Sequence, residues 1–335
     1  MRVTKKNDIK KILVIALSNI GDVILNFPVI DVLKKEFPDA RISVLLGPKG
    51  EPLFKGNPHI VKLYVFNKYQ SILGHIKLTG LLRRERFDLV VDLRNTVFPY
   101  LIGARFTTGP FVSKSNYEHL KIQHLNRLKT VVDFAGESSA RYALTLDRTD
   151  EEVIARILKE KIGNGPYVVL APGSANEHKR WNHEGYTEVA KRFVDKYKVK
   201  VVFVGNEAER IIVEEISRKM PGILNLCGQI NLTQLAGLLK NAALVVCNDS
   251  GPMHLASYVD VPVVALFGPT DPRTAAPWGT KGAFVKKIVD CPRCRNLKSR
   301  EAHTCLSAIT PDDVWEAIQK IERAHGTLCR NTKIS

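Results

Sequence analysis

The chain has 335 residues, of which 44% are hydrophobic and 25% charged; this is the composition of a globular protein long enough for two ordinary domain cores. A formal net charge of +16 points to anionic partners: nucleic acid, a membrane surface or phosphorylated substrates. Nucleic acid is the weakest of these, because only 7% of residues are aromatic, no RNA-binding signature is present, and the cations are spread over both halves.

The basic start, Met1 to Lys11, precedes a short apolar run, Ile12 to Leu17, that superficially mimics a signal peptide. Asn19, Gly21 and Asp22 interrupt it early and no small-residue cleavage site follows. Nor is there an uninterrupted apolar run of about 18 residues that would span a membrane. A cytoplasmic protein is expected. The six cysteines, at positions 227, 247, 291, 294, 305 and 329, are too few for an extracellular disulfide framework in a chain of this size.

In chain order, strands are expected at Ile12–Leu17, Arg41–Leu46, Val61–Phe66 and Asp88–Leu93. Helices are expected at Asp22–Phe37, Gln70–Glu85 and His124–Phe134, and Pro28 implies a kink or a delayed start in the first of them. Residues 95–117, rich in Gly, Thr and Pro, read as loops near a site. After a charged stretch, Asp147 to Lys161, the pattern restarts with strands at Tyr167–Leu170, Lys200–Val204, Ile223–Leu226, Leu244–Cys247 and Val263–Phe267. The accompanying helices are His183–Tyr197, Glu207–Met220, Leu232–Lys240, Pro252–Tyr258 and Pro311–Ala324. Alternating strands and helices predict parallel sheets covered on both faces. The expected organisation is an N-terminal α/β domain over residues 1–150 and a C-terminal one over 151–335, joined near residues 145–162.

Three loops leave the C-terminal ends of expected strands, where open α/β sheets bind ligands. Leu17-Ser18-Asn19-Ile20-Gly21-Asp22 places a carboxylate at a helix start, either as a general base or simply as a complement to the helix dipole. Ala171 to Trp181 contains a Pro172-Gly173-Ser174 turn followed by Lys179 and Arg180, suited to a diphosphate, with Trp181 anchoring the loop. Val245 to Ala256 is an apolar strand breaking into Asn248-Asp249-Ser250-Gly251-Pro252-Met253-His254 and resuming as a helix, so that free N–H groups and the helix dipole favour an anion. Asp249 and Ser250 are expected to cap that helix, Gly251 lets a ligand approach the backbone, and Pro252 suits the first turn. Phe267 to Pro272 can wall the same cleft, and Glu207 or Glu209 is placed to bind a ribose hydroxyl or merely to begin its helix. The phosphate-loop motif G-x-x-x-x-G-K-[ST] is absent, and Gly163-Asn164-Gly165-Pro166 precedes its strand, so it is not a dinucleotide fingerprint.

Taken together, Ser18 to Asp22, Pro172-Gly173-Ser174 with Lys179-Arg180-Trp181, Asn248 to His254, and Phe267-Gly268-Pro269-Thr270 resemble the lipopolysaccharide heptosyltransferases of glycosyltransferase family nine over nearly the whole chain. The resemblance implies two facing Rossmann-like domains of the GT-B type with the active site in the cleft between them, the N-terminal one for the acceptor and the C-terminal one for the nucleotide sugar. It implies inverting transfer of heptose from ADP-heptose to a lipopolysaccharide core, with no metal and no cofactor. By the same likeness Asp22 is the base, Lys179 contacts the donor phosphates, and the Asp249–Gly251 turn binds the diphosphate. Ser174, Arg180, Glu207 and His254 complete the expected donor set, and Asn19, Arg94, Asn95 and Arg105 are candidates for acceptor phosphates or sugars. The basic balance fits a peripheral position on an anionic inner-membrane surface. Cys291, Cys294, His303 and Cys305 resemble a structural metal-ligand set, with reduced thiols or a loop disulfide as the alternatives. Two other functions suit the same two-domain plan: a nucleotide-sugar epimerase, and a non-catalytic protein that binds a nucleotide sugar or an anionic membrane.

Overall fold

Two all-parallel sheets organise the chain, one in each of the two units, Met1–Asp147 and Arg148–Ser335, into which the computed structural model divides. Residues 2–3, 5–67, 71–109, 117–220, 222–279, 281–291 and 304–328 are described. The first sheet comprises β1 (Lys11–Ile15), β2 (Arg41–Leu46), β3 (Ile60–Val65), β4 (Leu89–Asp92) and β5 (Phe106–Thr107), in the order β3-β2-β1-β4-β5. The chain therefore winds outward from β1 in one direction and then reverses at β4, which makes the gap between β1 and β4 the topological switch point.

Its helices are α1 (Ile20–Ile24), α2 (Phe27–Glu36), α3 (Ile72–Arg84), α4 (Phe98–Ile102) and α5 (Leu120–Lys129). The single helix expected over Asp22–Phe37 is broken at Asn26, and Pro28 stands in the first turn of α2, where its missing N–H costs nothing. Leu78 and Leu82 of α3 and Phe98 and Ile102 of α4 join the same apolar cluster as Leu13, Ile15 and Val90 of the sheet, so these two helices cover one face of it. Buried Asp31 on α2 accepts hydrogen bonds from the amides of Tyr142 (2.7 Å) and Ala143 (2.8 Å), fastening the end of the unit to its second helix.

The second sheet, in the order β11-β10-β9-β6-β7-β8, comprises β6 (Tyr167–Ala171), β7 (Lys200–Phe203), β8 (Ile223–Asn225), β9 (Leu244–Asn248), β10 (Val263–Phe267) and β11 (Gly282–Lys286). Every residue of β6, β9 and β10 is buried, as expected of central parallel strands with both faces covered. The switch point lies between β6 and β9. Around it lie α6 (Arg148–Arg156), α7 (His183–Tyr197), α8 (Glu207–Lys219), α9 (Leu232–Lys240), α10 (Gly251–Tyr258) and a closing helix, Pro311–His325. Trp181, Tyr186 and Phe193 are fully buried in this core. A Cβ at Gly185 would lie 2.3 Å from the Trp181 indole, so only glycine leaves room for that ring.

The charged stretch expected to join the domains is ordered structure of the second unit: α6 runs into a π-helical turn, Ile157–Ile162. Apart from Asp150, its charges face outward while Ile154, Ile157 and Ile162 are buried, a periodicity that the density of Lys, Arg, Asp and Glu conceals. Asp150 is buried with them and accepts hydrogen bonds from Asn231 Nδ2 (3.1 Å), Gln234 Nε2 (2.8 Å) and the Thr233 hydroxyl at the start of α9. Asp150→Ala strands these donors and is expected to cost about 2 kcal/mol. Urea unfolding should show a clear fall in midpoint, whereas Glu152→Ala, which loses only an exposed ion pair to Arg148, should barely move it.

Candidate active site

The loops after β6 and β9 meet at the switch point of the second sheet. Lys179 Nζ lies 2.7 Å from Asp249 Oδ2, and the Thr270 hydroxyl, from the loop after β10, donates to the same oxygen at 2.5 Å. Lys286 at the end of β11 donates to the Thr270 carbonyl at 2.6 Å. Beneath this cluster Asn248 accepts from the Trp181 amide (3.1 Å) and donates to the Pro172 carbonyl (2.6 Å), while Trp181 Nε1 donates to the Ile309 carbonyl (2.9 Å). Trp181 thus anchors its loop as expected, and the backbone on both sides of Lys179 is fixed.

The capping expected of Asp249 and Ser250 is absent. Ser250 is the N-cap residue of α10, but its side chain does not cap the helix; the hydroxyl donates backward to the Asn248 carbonyl at 3.2 Å. Asp249 is drawn instead to Lys179. The first turn of α10, opened by Gly251 and Pro252, therefore has no cap from its N-cap side chain; helix starts of this kind favour an anion.

The other expected donor residues are distributed as follows. Ser174 is buried, and its carbonyl accepts from Arg180 Nε at 2.8 Å, so Arg180 braces the turn. His254 in α10 is buried with its ring stacked on Trp278, centroids 5.8 Å apart. Glu207 opens α8 on the surface in an ion pair with Arg210 (2.8 Å). Glu209, by contrast, is buried: Oε2 accepts from the Asn206 amide at 2.7 Å in a capping box, and Oε1 has no hydrogen-bond partner among the described residues. A Cβ at Gly173 would lie 2.8 Å from the Glu209 carboxyl carbon, so this carboxylate sits directly behind the Pro172–Ser174 turn. Nearby Cys227 is buried, and that burial, with the Glu209 charge, pushes its thiol up to about 12.

In the first unit, Asn19 Nδ2 donates to Asp22 Oδ2 at 3.0 Å, so the carboxylate after β1 is held by its own loop. Buried Asn26 accepts from the Leu17 amide (3.1 Å), and its Nδ2 lies 3.0 Å from His124 Nδ1 on α5. Across the switch point, at the end of β4, buried Asp92 accepts from the Arg94 amide (2.8 Å) and from the Thr96 amide (2.6 Å) and hydroxyl (2.8 Å). Asn95 adopts φ +64°, and its side-chain Oδ1 accepts from Arg127 Nη1 at 3.0 Å. Arg127 also donates to the backbone carbonyls of Asp92 and Gly109. Arg94 lies over the Phe66 ring (4.9 Å) and Arg105 over that of Phe106 (5.1 Å). Asn26, Asp92, His124, Arg127, Thr270 and Lys286 were not singled out from the sequence, although Thr270 lies in the quoted Phe267–Pro272 segment. A polar residue interrupting an apolar run, as at Asn26, was the available signal.

Of the cysteine cluster, Cys291 and Cys305 are buried, whereas Cys294 and His303 lie outside the described residues. Among the described residues no group of three or more His, Cys, Asp or Glu is placed to hold a metal ion, and no helix is long and apolar enough to cross a membrane.

Residues 76–304 match glycosyltransferase family 9 (heptosyltransferase). The chain belongs to this family and is a glycosyltransferase. It is similar to lipopolysaccharide heptosyltransferase 3 of Escherichia coli strain K12, 28% identical over 90% of this chain and 95% of that one. Among solved structures, a family 9 glycosyl transferase from Veillonella parvula superposes with a TM-score of 0.78 at 24% identity, covering 94% of this chain and 98% of the other. The E. coli ADP-heptose lps heptosyltransferase II superposes with a TM-score of 0.73 at 22% identity, covering 94% and 99%. The expected fold class, two Rossmann-like α/β domains as in GT-B enzymes, is the one observed.

Proposed function

We propose that this protein transfers a heptose from ADP-heptose to the core of a lipopolysaccharide, with inversion at the anomeric carbon and without a metal. The observation that carries the reading is the Lys179–Asp249–Thr270 cluster beside the uncapped start of α10, a cation and oriented amides gathered at a switch point where a diphosphate belongs. The names of the similar proteins, which are lipopolysaccharide heptosyltransferases, supply the sugar and the acceptor class.

In this reading the acceptor hydroxyl attacks the anomeric carbon as the bond from that carbon to the diphosphate oxygen breaks. Asp22, oriented by Asn19, takes the hydroxyl proton, and ADP departs with the electron pair, its new charge met by Lys179 and the α10 amides. Ser174, His254 and a carboxylate of Glu207 or Glu209 complete the donor site, with Arg180 bracing its loop. Arg94, Asn95 and Arg105 of the first unit bind the acceptor. The enzyme works in the cytoplasm at the surface of the inner membrane, where such acceptors are anchored.

The test is incubation of the purified protein with ADP-heptose and a panel of truncated lipopolysaccharide cores, with and without EDTA, following ADP release and acceptor mass. An acceptor-dependent gain of one heptose, undiminished by EDTA, is expected. Loss of transfer in EDTA would remove the metal-free mechanism. A change in the donor without any acceptor would instead indicate an epimerase, and donor binding without turnover a non-catalytic protein.

A further inference from the structure

The described residues include thirteen large apolar side chains that are exposed, and they are not evenly spread. Ile72, Leu73, Ile76 and Leu81 lie on α3, and Tyr100 and Leu101 on the adjoining α4, with exposures from 44% to 79%. Both helices bury their opposite sides, Leu78 and Leu82 from one and Phe98 and Ile102 from the other, in the cluster under the sheet. The six exposed side chains therefore belong to the outer surface of a single layer. On an isolated soluble surface a concentration of this kind marks a contact with something apolar.

The charge around this layer identifies the contact. Residues 71–84 and 93–109 contain Lys77, Arg83, Arg84, Arg94 and Arg105 and no acidic residue. The acids between them are engaged elsewhere. Glu85 pairs with Lys62 (2.7 Å) and the Tyr64 hydroxyl (2.8 Å), Asp88 accepts from the amides of Lys10 and Lys11 (2.8 Å each), and Asp92 is fully buried. Exposed apolar side chains on two segments that carry cations and no acid match the boundary between acyl chains and negatively charged headgroups. A protein partner of ordinary composition would leave some of these cations unmatched.

We infer that the outer faces of α3 and α4 form the surface by which this protein docks on an anionic lipid bilayer. The face adjoins the loop after β4, since Arg94 lies over Phe66 while Phe66 contacts His75 of α3 and Phe98 of α4. Docking would therefore bring the bilayer to the loop that carries the acceptor candidates. The inference deepens the peripheral-membrane part of the proposal above and rests on that proposal only for the identity of the acceptor.

The test uses the full chain and glycolipid-free vesicles, phosphatidylglycerol with phosphatidylethanolamine against phosphatidylcholine alone. The wild type should co-sediment with the anionic vesicles. Ile76→Glu combined with Leu101→Glu, both at exposed positions, should weaken that binding about tenfold or more, with heptose transfer to a lipid-free core oligosaccharide unchanged. Lys77→Gln with Arg83→Gln and Arg84→Gln should abolish the preference for anionic vesicles. Wild-type binding to neither vesicle, or undiminished binding by the Glu variant, would overturn the inference. So would a Glu variant that keeps its vesicle binding but falls to a smaller species without vesicles, because the face would then join copies of this chain. Failure of transfer alongside the stated vesicle behaviour would overturn the acceptor assignment and leave the docking face standing.

Discussion

Asp22→Asn is expected to reduce turnover by about 100- to 10,000-fold, the range of a lost general base, while ADP binds as tightly as before. The substitution is nearly isosteric, and the asparagine carbonyl can still accept the hydrogen bond from Asn19 Nδ2 that holds the carboxylate at 3.0 Å. Only the capacity to take a proton is removed. Asn19→Ala separates position from chemistry: the proposed base remains but loses its orienting donor, so a smaller loss of kcat is expected. Single-turnover rates with saturating donor, paired with calorimetric ADP affinities, make the comparison. Undiminished turnover in Asp22→Asn would remove that residue from the base role.

Lys179→Ala is expected to weaken ADP binding about 10- to 100-fold, the worth of a charge-assisted hydrogen bond to phosphate. Two effects contribute. The cation is lost, and Asp249, only 5% exposed at its side chain, becomes an uncompensated buried charge facing the same anion. Adding Asp249→Asn to Lys179→Ala removes the repulsion, so the double variant should bind ADP more tightly than the single one. The non-additivity is the readout. Equal affinity in wild type and Lys179→Ala would reject the contact, and a double variant weaker than the single would show that Asp249 acts on the ligand independently of Lys179.

The fold was legible wherever local pattern and tertiary burial agree. β10, α7 and α9 begin and end on the residues read from the sequence, because buried β-branched runs and Asn caps mark them without ambiguity. α6 was hidden by its charge density. β11 was missed because GAFVK is a half-exposed edge strand opening on glycine. The expected His124–Phe134 runs five residues past the end of α5 because Val131 and Val132, buried beyond that end, extend the apolar pattern past the last helical turn.

Individual site loops could be recognised from their Gly, Pro, Asn and Asp content, but their pairings could not. Lys179 and Asp249 are separated by 70 positions, and Arg127 reaches Asn95 across 32. Such contacts arise only when the strand order brings distant loops together. The capping error at Asp249 has the same origin: read locally, an Asp before a helix caps it, and only the fold supplies the lysine that draws it away.

The loops around each switch point are held from inside their own unit: Asn26, Asp92, His124 and Arg127 in the first, Asn248, Trp181 and Thr270 in the second. In evolutionary terms, each set of loops can diverge without disturbing the supports of the other. On the proposed division, with acceptor contacts near Arg94 to Arg105 and the donor in the second unit, gene duplication followed by drift in the first unit alone would found a lineage with a different attachment point.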